Sequence, residues 1–292
     1  MNDSDCVELI INPRIDDLGH FEVMRALPFK KKRMVGPFIF WDQMGPGSFS
    51  SGQGLDVRPH PHIGLSTVTY LFEGSMDHKD SLGNDVRIVP GDINLMTAGS
   101  GIVHSERTGM DIRQQPSKLS GIQSWLAQPK SQEDGKAAFE HTDAEKLPVI
   151  NAHDVKGRVI FGEFEGIVSP LQTQWETIYV DLYLQQGAQI EFSRLIEERA
   201  LYVLSGSIEI RGVRCDAHQM IVLRPGHSVS VKALEPVHLM LLGGATMDGP
   251  RFIYWNFVSS SKERLDQAKE DWRMGRFAKI PGDDKEFIPL PD

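Results

Sequence analysis

The sequence predicts an all-β protein, and three observations lead there. Short apolar and β-branched runs are separated by Gly, Pro, Asn and Asp clusters about every 8–12 positions, the pattern of a sandwich or barrel. The second half repeats features of the first, so that two such units stand in one chain. Finally, His60-x-His62 and His104-x-Glu106 place chemistry-bearing side chains at i and i+2, positions that share one face of a strand.

Taken in order, Phe38-Ile39-Phe40-Trp41 is an apolar run bounded by Pro37 and Gly45-Pro46, and reads as a buried strand. Gly52 to Gly54 turn the chain toward His60. Leu65 to Leu71 interleaves apolar residues with Ser66, Thr67 and Thr69, and Glu73-Gly74 closes it. Met76 to Lys79 continues past that turn, with Ser81-Leu82-Gly83-Asn84 as a hairpin connection. Asp85 to Val89 and Ile93 to Thr97 flank Pro90-Gly91-Asp92. The glycines of Ala98-Gly99-Ser100-Gly101 lack the lysine and helix of a phosphate loop, and suit close backbone approach near His104 instead.

The polar stretch Gln128 to Lys146 reads as a linker or surface excursion, dividing the chain into domains at 1–135 and 136–292. Strands resume at Val159 to Phe161 and Thr177 to Leu184. Leu201-Tyr202-Val203-Leu204-Ser205-Gly206-Ser207 then parallels Thr69-Tyr70-Leu71-Phe72-Glu73-Gly74-Ser75. Counting back fourteen positions from Gly206, as from Gly74 to His60, lands on Phe192, with Arg194 two further on, so the second copy has lost its ligand pair. His20, His78, His141, His153, His218, His227 and His238 read as structural or surface residues. Ser260-Ser261-Lys262-Glu263 reads as a capping box that opens an amphipathic helix over 261–273, with Leu265, Ala268 and Trp272 on its docking face.

Size and charge narrow the function. A chain of 292 residues buries enough surface to need no disulfide, and its two cysteines, Cys6 and Cys215, match no zinc knuckle or CxxC motif. The acidic N-terminus without an apolar h-region, and the absence of an 18-residue apolar run, predict a cytoplasmic protein with no membrane contact. A net charge of -9 and a pI near 5.6 argue against direct nucleic-acid binding. The run Lys30-Lys31-Lys32-Arg33 reads as a solvated turn.

His60, His62, His104 and Glu106 form the candidate metal set. Imidazole with carboxylate suits iron, manganese, nickel, copper or zinc. Three neutral imidazoles and one carboxylate leave a divalent ion one residual positive charge, and octahedral coordination leaves two positions for water, oxygen or a chelating substrate. A structural zinc site would be closed and rich in cysteine, and no cysteine lies near these residues.

Four stretches carry a family resemblance: Phe40-Trp41-Asp42-Gln43-Met44-Gly45-Pro46; Pro59-His60-Pro61-His62-Ile63-Gly64; Pro90-Gly91-Asp92 through Met96 to Glu106; and Trp255 to Ser261 through Gln267 to Trp272. By these the chain resembles the pirins of the cupin superfamily. The resemblance implies two cupin β-barrels with a C-terminal helix, and metal only in the N-terminal barrel, on the positions matching His60, His62, His104 and Glu106. One divalent ion per chain is implied, Fe(II) first, with Ni, Mn, Cu, Co or Zn as alternatives. Where the wider cupin pattern has a carboxylate after the second histidine, Ser66 and Thr67 stand here, and many pirins carry glutamate at the position of Ser66.

Some pirins are similar in activity to quercetin 2,3-dioxygenases, with a flavonol-like substrate and dioxygen. On that reading the metal holds the 3-hydroxyl and 4-carbonyl region, and Glu106, loosened from the metal, takes the hydroxyl proton as catalytic base. Other pirins act as metal-dependent regulators that bind a protein partner, which is the alternative reading. A monomer is expected, since no exposed apolar heptad appears.

Overall fold

The structure is a computed structural model, and it describes residues 6–17 and 21–291. His20 lies outside the described residues. These residues form two compact units, each almost wholly β.

One unit comprises Met24–Trp41 and Glu145–Met247 together with the first strand, Val7–Ile11. Its larger sheet runs Val7–Ile11, Met220–Leu223, Glu198–Ser205, Val237–Gly244, Thr177–Leu184, Val155–Phe161 and Val149–Asn151. A four-stranded sheet, ordered Gln189–Phe192, Val229–Ala233, Ser207–Ile210 and Val213–Asp216, completes it. Ile178, Val180, Leu182 and Leu184 alternate along one strand and bury one face of it in the core with Leu239, Leu241, Val229 and Val231. Phe192, which the duplication sets opposite His60, lies in this core against Phe164 with ring centroids 6.0 Å apart. Apolar packing occupies the place of the first lost ligand, and Arg194, at the place of the second, is exposed.

The other unit comprises chiefly Asp42–Ala144 and the segment from Asp248 onward. Its large sheet is ordered Ala138–Thr142, Ile93–Thr97, Leu65–Glu73, Ser117–Ala127, Phe38–Phe49, Glu22–Leu27 and Arg14–Asp17, the strand Phe38–Phe49 entering the unit at Asp42. Its small sheet is ordered Asp56–His62, Ile102–Arg107, Met76–Asp80 and Asp85–Ile88. The small sheets of the two units share one strand order, and Gly74 and Gly206 close equivalent strands with φ of 85° and 79°. The duplication read from the sequence is thus a duplication of topology. Gly64 turns the chain after His62 at φ 65°, where a Cβ would stand 2.0 Å from the Val258 carbonyl oxygen, so the turn accepts no side chain.

Two expectations are corrected here. The polar stretch after Gln128 is not a free linker: Ala138–Thr142 pairs antiparallel with Ile93–Thr97, and Glu133 is buried, accepting from Ser260 N at 2.9 Å, Ser260 Oγ at 2.6 Å and Ser259 Oγ at 3.2 Å. Composition marked the stretch as polar but could not show that its carboxylate has buried donors waiting. The helix spans Lys262–Arg273, and its N-cap is Ser261, whose Oγ accepts from Arg264 N at 3.2 Å and donates to Glu263 at 2.7 Å. Because the N3 residue is Arg264, the reciprocal box is not formed; Ser260 is occupied by Glu133 instead.

Leu265 and Ala268 are buried against Ile63 and Phe257, which fulfils the docking face read from helical spacing. The chain then returns across the outside of the small sheet. Asp283 accepts from Ser105 Oγ at 2.7 Å and Arg107 Nη2 at 3.0 Å, and Ile288 N donates to the Pro59 carbonyl at 2.8 Å. Pro59, Ser105 and Arg107 alternate with His60, His104 and Glu106, so this brace lies on the face opposite the candidate ligands.

Candidate metal centre

The small sheet of the second unit builds the centre from strand register. Ile102–Arg107 is its second strand, with His104 directly opposite His60 on one side and opposite Asp80 on the other. The strand Asp56–His62 carries one extra residue between Val57 and His60 where it faces Glu106 and His104, while on the other side the pairing is regular and sets Glu106 opposite His78. Three i, i+2 pairs, His60/His62, His104/Glu106 and His78/Asp80, therefore present their side chains on one interior face.

The structure brings His60, His62 and His104 together with ligand nitrogens all within 4.8 Å of one another. The Nε2 atoms of His62 and His104 are 3.0 Å apart. His60 donates its Nδ1 hydrogen to the Arg58 carbonyl at 2.9 Å, which fixes its tautomer and leaves Nε2 with a free lone pair. Glu106 belongs to a second set, with His104 and His78, so His104 is common to both.

Electrostatics suit these groups to a cation. Burial lowers His60 to about 4, against the opposing pull of the Arg58 carbonyl. Burial, with neighbouring imidazoles, holds His62 and His104 well below the ordinary histidine range. At neutral pH the three rings are uncharged and their lone pairs available. Burial also raises the Glu106 carboxyl, opposed by His78, Gln123 and Thr69. Converging neutral imidazoles beside a carboxylate, closed off from water, fit one divalent metal ion.

Several residues of the centre were not singled out by the sequence reading. Gln123 Nε2 donates to Glu106 Oε1 at 3.1 Å, and Thr69 Oγ1 donates to Gln123 Oε1 at 2.6 Å, the two facing each other across paired strands. Nothing in the spacing distinguishes them from other polar residues on a sheet. His78 is different. Read from sequence as structural or surface, it is buried beside His104, and its i, i+2 relation to Asp80 is the same signal that marked the ligands. Ser66 is buried and shares a hydrogen bond of 3.1 Å with Thr97, so a hydroxyl pair stands at this position. Of the other histidines, His153 is exposed, while His141 and His238 meet Asn94 and Asp181.

Comparison with known proteins agrees with this geometry. The Pirin family profile matches residues 20–126, and the profile described as the Pirin C-terminal cupin domain matches residues 179–278. A Pirin-like protein of Caulobacter vibrioides is 47% identical over 290 residues, covering 98% of this chain and 100% of that protein. Pirin of Homo sapiens is 31% identical over 264 residues, covering 87% of each. The crystal structure of quercetin 2,3-dioxygenase from Acinetobacter baumannii matches with a TM-score of 0.89 at 33% identity, over 97% of this chain and 95% of that one.

Proposed function

The chain belongs to the pirin family, and from that premise we propose that it is a metal-dependent dioxygenase that opens the central ring of flavonols such as quercetin with dioxygen, releasing carbon monoxide. The observation that carries this reading is the buried convergence of His60, His62 and His104 beside the Glu106 carboxylate. Its likeness to the Acinetobacter baumannii quercetin 2,3-dioxygenase supports the choice of substrate class. The same reading allots the ligands to the unit built chiefly from Asp42–Ala144 and the degenerate copy to the unit built chiefly from Glu145–Met247.

His60, His62, His104 and Glu106 would hold the ion, Fe(II) in the first instance. When bound, the metal supplies Lewis-acid attraction for the 3-hydroxyl and 4-carbonyl oxygens and the redox chemistry that admits dioxygen. Glu106 takes the 3-hydroxyl proton. Without the ion, burial raises its carboxyl, so the proton is held more readily there than on an exposed glutamate. Gln123, oriented by Thr69, keeps the carboxylate aimed while the proton moves. The buried walls of the site exclude water from the anion so formed.

The test is carbon monoxide release, with loss of flavonol absorbance, from iron-loaded protein given quercetin and oxygen beside a His60→Ala control. Release that vanishes in the control is the expected outcome. Protein shown to hold its iron and to release none would overturn the proposal. Full turnover by a metal-replete Glu106→Gln protein would remove the base role alone.

A further inference from the structure

His78 and Asp80 are buried at 3% and 0% exposure, on the strand next to the one that carries His104 and Glu106. A buried carboxylate and a buried imidazole that bind nothing outside the protein need a reason, since each is costly to take from water. Their hydrogen bonds supply it. Asp80 Oδ1 accepts from Leu82 N at 2.9 Å, Asn84 N at 3.1 Å and Asn84 Nδ2 at 3.0 Å. Its Oδ2 accepts from Asn84 Nδ2 at 2.8 Å and lies 3.2 Å from His78 Nε2. An ionised carboxylate only accepts, so the hydrogen between them sits on His78 Nε2.

That assignment passes inward. With Nε2 donating to Asp80, the ring nitrogen His78 has left is Nδ1, which faces His104 Nδ1 at 3.4 Å. One hydrogen joins the two nitrogens, and a His104 that offers Nε2 to a metal carries it on Nδ1, with His78 Nδ1 as the acceptor. Neutral His104 with its hydrogen on Nδ1 has its lone pair on Nε2, the atom 3.0 Å from His62 Nε2 within the candidate metal cluster. Phe139 stacks on the His78 ring at 4.5 Å and 16°, so the ring is held in the plane the contact needs.

We propose that Asp80 and His78 are positioning residues, which lock His104 in the Nδ1–H tautomer and so keep its Nε2 open to the metal. The inference rests on the metal-centre reading above. It assigns an outer pair to His104, as the Arg58 carbonyl serves His60, and partners of this kind orient a ligand and raise its basicity.

The direction of the hydrogen bonds makes the proposal sharp. In Asp80→Asn, the amide oxygen goes where the Leu82 and Asn84 backbone donors are, and the amide nitrogen turns toward His78 Nε2. It then donates. His78 must carry its hydrogen on Nδ1, and His104 is driven to the Nε2–H tautomer, which cannot bind a metal through that atom. His78→Phe keeps the ring stacked on Phe139 and removes both nitrogens. His78→Asn places an amide oxygen near the position of Nδ1 and restores an acceptor for His104.

The experiment combines nitrogen-15 imidazole spectra of metal-free protein with Co(II) affinity by competition against a chromophoric chelator, with circular dichroism to check the fold. Wild type is expected to show His104 protonated on Nδ1, and Asp80→Asn to show it on Nε2. Co(II) affinity is expected to fall about 10–100-fold in Asp80→Asn and His78→Phe, and to return for the most part in His78→Asn. Wild-type His104 protonated on Nε2, or unchanged Co(II) affinity in His78→Phe, would overturn the proposal. Wild type that takes up no Co(II), yet shows His104 with Nδ1–H, would overturn the metal-centre reading and with it the purpose given to the pair. Should Asp80→Asn not fold, the contrast of His78→Phe with His78→Asn decides alone.

Discussion

Gln123 reaches Glu106 across the sheet interior, its Nε2 donating to Oε1 at 3.1 Å while Thr69 fixes the far side of the amide at 2.6 Å. A hydrogen bond to a charged group is worth about 1.5–3 kcal/mol. Gln123→Leu removes it from a carboxyl that burial already raises. Flavonol turnover is expected to fall about tenfold or more, by the same energy range, with the Co(II) content of loaded protein unchanged. Turnover at the wild-type rate would show that Glu106 needs no such support.

Glu133 is a buried carboxylate that gathers Ser259, Ser260 and the Arg251 guanidinium, the last at 3.6 Å and fully buried. Glu133→Ala leaves these donors without it, although Arg251 keeps Asp248 and backbone carbonyls. A loss of about 3 kcal/mol is expected, read as a lower midpoint in urea unfolding. Glu133→Gln, which keeps one acceptor, should lose less.

Ser261 caps the helix Lys262–Arg273 through its contact with Arg264 N. Ser261→Ala is expected to cost about 1 kcal/mol, seen as a small drop in thermal midpoint. The contacts of Leu265 and Ala268 remain, so the helix stays in place.

Cys6 and Cys215 are free and buried. Burial first, and then the Asp216 carboxylate, push the Cys215 thiol up to about 11. The folded value lies above the unfolded one of about 8.5. The stability this difference represents is whole below the unfolded value and is lost as pH rises toward 11. Folded protein at pH 8 should leave Cys215 unreactive toward a thiolate-specific reagent until urea is added. The fall in urea midpoint between pH 8 and pH 10.5 should be smaller in Cys215→Ala.

Much of this was legible in the sequence because β structure writes its faces in steps of two. The strands Leu65–Glu73, Ile93–Thr97 and Thr177–Leu184 stand where alternation and turn residues put them. His60, His62 and His104 converge because two i, i+2 pairs lie on paired strands. The replacement of His60 by Phe192 followed from a count across the duplication. What spacing could not supply was the third strand. Only register shows His78 and Asp80 opposite Glu106 and His104, and only a folded sheet shows that Gln123 faces Thr69. The burial of Glu133 was hidden for a related reason: its donors lie more than a hundred residues away, and local composition carries no trace of them.

The brace across the outside of the small sheet has a consequence in time. Asp283 is made 178 residues after Ser105, whose hydroxyl it accepts. At about 5–20 residues per second of synthesis, the strand bearing His104 emerges on the order of ten seconds before the segment that backs it. During that interval the imidazoles belong to a sheet without its outer support. Secure capture of an ion is therefore an event for the nearly finished polypeptide, and a nascent chain stalled before Asp283 should hold Co(II) more loosely than the released protein.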